Sequence, residues 1–195
     1  MKLHVKQLAG IIAALVLLMA ATRYNHFGSA VSLPDASLAV FFVAGFFLSQ
    51  RVWSAIVAFV ALLLLAGGID YYAINVAGVS DWCVTPAYWF LIPTYASMWL
   101  GGRWFSTRPQ NSWRSLTLFG VVSWFATTVA FLISNLSFFL LAGRFSAMSA
   151  AEYAGNVMQY YPPYLGGSLM YLALTAVIYI LLINMNKNSV GEAHS

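Results

Sequence analysis

One residue in this chain can offer a thiolate to a soft metal. Cys83 is the only cysteine among 195 residues, so neither an intramolecular disulfide nor a zinc or iron–sulfur cluster can be built from it. It follows Asp81 and Trp82 and stands just before Pro86, which opens an apolar stretch. Backbone N–H groups at a helix entrance draw a thiol toward the thiolate, and a thiolate is a soft ligand for transition metals. A single sulfur cannot hold a bare ion. It can supply the axial bond to a metal already held in a macrocycle. The plain alternative is a small buried hydrophobe, the usual behaviour of a free cysteine.

Other polar groups gather in three segments, 23–35, 70–85 and 143–164. His26 is the only histidine outside the terminal tails; it suits an imidazole ligand, a proton-handling group or a loop hydrogen-bonder. Arg23, Asp35, Asp70 and Arg144 lie at the ends of apolar stretches. They can pair with one another, snorkel, or bond to amides or phosphate on a ligand. Tyr71, Tyr72, Trp82, Glu152, Tyr153, Asn156, Gln159, Tyr160 and Tyr161 complete the set. Eight of the eleven tyrosines fall on or beside these segments. An interfacial aromatic belt would serve both faces of a membrane, so the bias favours a cavity for a large, mostly planar ligand.

The elements that position these residues are apolar spans. The chain is 62% hydrophobic and 7% charged, with a mean hydropathy of +0.80. A soluble domain carries about a quarter charged residues, so a water-soluble monomer is excluded. Six stretches stand out, at 7–22, 36–49, 52–69, 86–100, 115–142 and 165–183. A span of about 20 residues crosses a bilayer, which leaves no room for a soluble catalytic domain. The chain thus reads as one all-α, polytopic domain of six transmembrane helices. Lys2 and Lys6 before Leu8–Ala21 outline a signal peptide. No small-x-small cleavage site and polar mature domain follow, so this run is kept as the first span. Asp35 is placed to cap the second.

Charge sets the orientation. Lys2, Lys6, Arg51, Arg103, Arg108, Arg114 and Lys187 share one side, against Arg23 and Arg144 on the other. That bias puts both termini in the cytoplasm and Cys83 outside. The net charge of +4 is therefore a topology signal, not a nucleic-acid footprint. The first span carries Ala9, Gly10, Ala13 and Ala14, two overlapping small-xxx-small patterns that let helices approach closely. Internal packing is the expected use, and docking of another membrane protein the alternative.

The stretch Ala21-Thr22-Arg23-Tyr24-Asn25-His26-Phe27-Gly28, with Leu33-Pro34-Asp35-Ala36-Ser37-Leu38-Ala39-Val40-Phe41-Phe42 after it, resembles the opening signature of the BtuM family. Gly68-Ile69-Asp70-Tyr71 and Asp81-Trp82-Cys83-Val84-Thr85-Pro86-Ala87-Tyr88 are similar to later stretches of that family. These are small bacterial cobalamin transporters related to the S-components of energy-coupling factor (ECF) transporters. The resemblance implies six helices in the bacterial inner membrane, both ends inside, and a corrinoid bound in an outward-facing cavity. It implies cobalt ligation by Cys83, with Asp70, Tyr88, His26 and Arg144 supporting the pocket; Tyr72 and Trp82 join them as lining. Ala9 and Ala13 would meet the coupling subunit of an ECF module. Cobalamin or cobinamide is then substrate, and the protein has no cofactor of its own. No Walker motif is present, so an ATP-driven cycle would need partners. Thiol-dependent removal of cyanide from cyanocobalamin is the rival activity, able to coexist with transport, and a scaffold with an inconsequential cysteine is the third reading.

Overall fold

The computed structural model describes residues 5–23, 33–48, 52–108 and 113–192, which form helices joined by short loops, with no strand among them. In order they form α1 (Val5–Arg23), α2 (Ser37–Leu48), α3 (Val52–Asn75), a 3-10 turn (Pro86–Phe90), α4 (Leu91–Ser106), α5 (Trp113–Leu141), α6 (Ala150–Met158) and α7 (Tyr161–Glu192). Three segments are long and apolar enough to cross a membrane: Val52–Asn75, Trp113–Leu141 and Tyr161–Leu181. Large apolar side chains such as Val57, Leu64, Phe125 and Leu132 face outward. An apolar exterior of this kind suits contact with lipid, not water.

α2 is the core helix. Its sequence is apolar on every side, which is the mark of a buried helix, and Ala39 through Gly45 are all buried. α1, α3, α4 and α7 pack around it, and α5 touches it through Phe119, edge-on to Phe42 at 5.7 Å. Phe41 stacks on Tyr95 of α4 at 4.2 Å between ring centroids, and Phe59 of α3 meets Phe41 edge-on at 5.4 Å. Two glycines let α2 and α4 cross with their backbones touching. A Cβ on Gly45 would run into the Trp99 carbonyl, and one on Gly102 into the Phe42 carbonyl. Small residues at a crossing permit this approach. Backbone cannot yield as a side chain can, so Gly102→Val is expected to cost about 1–3 kcal/mol or more. Thermal unfolding in detergent checks this; an unchanged Tm would contradict the close crossing.

The helices depart from the expected spans at their polar ends. α3 runs to Asn75, past the expected limit at residue 69, so Asp70, Tyr71 and Tyr72 lie on helix rather than loop. It stops where Gly78, at φ +69°, lets the Val79 N–H return to the Ala73 carbonyl at 3.0 Å, a glycine C-cap. The fourth stretch divides: Pro86 starts a 3-10 turn, capped by Thr85 accepting from the Ala87 N–H, and α4 itself continues to Ser106. The 143–164 loop contains α6, closed by a reciprocal capping box between Ser149 and Glu152. α7 begins at Tyr161 despite Pro162 and Pro163, because a first helical turn tolerates proline.

The small-residue face of α1 does not pack inside. Ala9, Gly10, Ala13 and Ala14 are exposed, and a Cβ on Gly10 would meet nothing within 4 Å. α1 instead buries Leu15, Met19, Thr22 and Arg23, one face at helical spacing.

Candidate functional site

The site is built where α1 ends, α2 begins and α3 ends. Arg23, the last residue of α1, is 2% exposed. Its Nε donates to Asp70 Oδ1 at 2.8 Å and its Nη2 to Asp70 Oδ2 at 2.6 Å, a two-pronged ion pair. The Nε also reaches the Ala66 carbonyl at 3.2 Å. Nη1 donates to Ser37 Oγ at 3.0 Å, to Asp35 Oδ2 at 3.3 Å and to the Tyr95 hydroxyl. One cation thereby ties together α1, the start of α2, α3 and α4. Helix dipoles support the placement, with a cation at the C-terminus of α1 and a carboxylate before α2.

The approach to α2 is equally constrained. Asp35 Oδ1 accepts from the Ser37 N–H at 2.9 Å and from its hydroxyl at 2.6 Å, so the expected capping role is filled. Thr22 Oγ1 accepts from the Ala36 N–H at 3.1 Å, and the Tyr171 hydroxyl donates to the Pro34 carbonyl at 2.7 Å. Buried charges require partners of this kind, because an uncompensated one is costly.

The other candidate residues stand beside this brace. The Tyr88 hydroxyl, on the 3-10 turn, donates to Asp70 Oδ2 at 2.6 Å. Tyr88 is only partly buried, so it links the brace to the surface that a ligand would meet. Cys83 is exposed in the 76–85 loop. Arg144, from beyond the end of α5, lies 3.6 Å over the Trp82 ring and donates Nη2 to the Trp82 carbonyl at 3.4 Å. This cation–π contact fastens the cysteine loop to the α5–α6 connection. Tyr72 is exposed on the last turns of α3 at the same end.

The thiol does not have the electrostatics expected of a helix entrance. Partial burial of the Cys83 sulfur raises its pKa first; the nearby Asp70 charge raises it further, and Arg144 lowers it. The segment after Cys83 is a five-residue 3-10 turn whose Ala87 N–H is already taken by Thr85. Metal ligation requires the thiolate, so binding expels one proton. Capture through this sulfur of a cobalt corrinoid that keeps its opposite axial ligand should therefore strengthen about tenfold per pH unit while the thiol stays protonated. Since the thiol is pushed above its ordinary range, the rise should continue through pH 6.5 to 8.5 without levelling off. Spectroscopic titrations across that interval check the slope; a flat profile would contradict thiolate ligation.

Of the residues singled out in the sequence, Asp70, Trp82, Cys83, Tyr88 and Arg144 converge at one end of the bundle. His26 lies outside the described residues. Ala9 and Ala13 stand ten or more residues before Arg23 on α1, at least ~15 Å along the helix axis. Tyr95 and Ser37 were not anticipated. Tyr95 follows Tyr88 by seven residues, two helical turns, a spacing that would have placed both on one face. Among the described residues no three His, Cys, Asp or Glu side chains cluster as a bare-ion site. No family model and no curated protein sequence matches this chain.

Proposed function

We propose that this chain is a bacterial inner-membrane protein that captures cobalamin or a related corrinoid and moves it inward. Six of its helices, α1 to α5 and α7, serve as the spans, with both termini cytoplasmic, and α6 lies at the outer end. Cys83 supplies the axial sulfur to cobalt. The observation that carries this reading is the grouping of an exposed thiol with Trp82, Arg144 and the Asp70–Tyr88 pair at one end of the bundle. Trp82 and Tyr88 offer apolar and hydrogen-bonding surface to a corrin, and Arg144 suits its amides or phosphate. The buried Arg23–Asp70 brace holds that floor rigid.

The exposed thiol also favours a second activity of the same site. Sulfur bonded to one face of cobalt weakens the bond opposite, and cyanide leaves. The thiol proton departs with it as hydrogen cyanide, so atoms and charge balance without an added reductant. Slow release of the product would make the protein stoichiometric in this step.

The exposed Ala9 and Ala13 support docking of an ECF energising module on α1. Co-purification of a red, corrin-absorbing species from cobalamin-fed cells tests the binding reading, and a colourless protein under those conditions would count against it. Orientation is tested separately. A membrane-impermeant thiol reagent should label Cys83 from the periplasmic side in ligand-free cells. Labelling that appears only after the inner membrane is opened would reverse the topology.

A further inference from the structure

A groove between α4 and α5 is lined by none of the residues proposed for corrinoid capture. Its volume is about 570 Å³, and its walls are formed by side chains including Leu100, Trp104, Val121, Phe125 and Val129. Such a volume falls within the roughly 300–1,000 Å³ typical of small-molecule sites. The floor is low because the helices nearly touch there: a Cβ on Gly101 would stand 3.0 Å from the Ala126 Cβ. Ser97, the polar residue in the lining, turns its hydroxyl back to the Thr94 carbonyl at 2.7 Å. The groove therefore offers dispersion contacts and little else.

Its length and its mouth are more specific. Along α5 the lining extends from Leu118 to Val129, about 17 Å at 1.5 Å per residue. That is close to one leaflet of a hydrocarbon core about 30 Å thick. The end where α4 stops and α5 starts carries three cations. Arg103 occupies the last turn of α4 and Arg114 the first turn of α5, and both are exposed. The Arg108 guanidinium lies 4.3 Å over the ring of Trp104, which itself lines the groove. Residues 101–118 contain no Asp or Glu. Arg114 also stands where the helix dipole disfavours a cation, so a bound anion relieves two repulsions together.

We propose that this groove holds one acyl chain of an anionic phospholipid, with the lipid phosphate among Arg103, Arg108 and Arg114. Basic pockets between helices on the cytoplasmic side recognise anionic headgroups through this charge pattern. The proposal rests on the chain lying in a bilayer and is independent of corrinoid capture.

The test uses the full chain in nanodiscs of equal parts phosphatidylglycerol and phosphatidylcholine, followed by mild extraction and analysis of the lipid retained. The parent should retain phosphatidylglycerol several-fold over the disc ratio. Replacing all three arginines by lysine should preserve the enrichment; replacing all three by glutamine should return it to the disc ratio. Val121→Trp, at an exposed position, should fill the groove and lose bound lipid of both kinds while corrinoid binding stays unchanged. Retention by the parent at the disc ratio, or undiminished enrichment in the glutamine variant, would overturn the proposal. So would efficient disulfide dimerisation through Val121→Cys in a Cys83→Ala background, because a second copy would then occupy the groove.

Discussion

Replacing Asp70 by alanine should destabilise the protein by about 3–5 kcal/mol, the cost of removing one partner from a buried ion pair. The carboxylate is 3% exposed and takes two bonds from Arg23 and one from Tyr88. Its loss leaves a buried guanidinium with Asp35 at 3.3 Å as the remaining carboxylate. Four elements meet through Arg23, so the loss should loosen the whole Cys83 end of the bundle. Tyr88→Phe removes one hydrogen bond to a charged group and should cost less, about 1.5–3 kcal/mol. Chemical or thermal unfolding in detergent reads both. If Asp70→Ala unfolded no earlier than Tyr88→Phe, the ion pair would not be the brace described.

Cys83→Ala should leave that brace, the Tm and the helix content intact, yet abolish cobalt ligation and strongly weaken corrinoid capture. Its side chain is exposed and takes no part in the core, so truncation there leaves no cavity. The separation of the two effects is diagnostic. Asp70→Ala should impair fold and capture together, whereas Cys83→Ala should impair capture alone. A Cys83→Ala protein that binds with parental affinity and the same visible spectrum would remove the axial-ligand role.

The apolar stretches were readable because hydropathy is a property of the chain alone: helix occupies most of each among the described residues, and three of these helices are long enough to cross a membrane. Their ends were less so. Hydropathy falls at Asp70, but backbone hydrogen bonding carries α3 on to Asn75 until Gly78 stops it. Arg23 and Asp70 could be placed at one end of the molecule from their position in the spans. Their pairing could not, since it depends on the rotation of α1 and α3 about their axes. The Gly45–Trp99 and Gly102–Phe42 contacts were hidden for the same reason: separated segments meet through glycines that carry no pattern of their own. On α1 a small-residue pattern was visible, but the pattern does not say whether its partner lies within the chain. At Cys83 the expectation of a helix entrance failed because partial burial of the sulfur, and after it the Asp70 charge brought in by α3, both hold the thiol protonated.

A bond between the Cys83 sulfur and corrinoid cobalt would show in the absorption spectrum of cyanocobalamin mixed with the purified protein. The spectrum should change with release of free cyanide, in His26→Ala as in the parent, and not in Cys83→Ser. A parent protein from which cyanocobalamin is recovered unchanged and with its own nitrogen-ligated spectrum would contradict that bond.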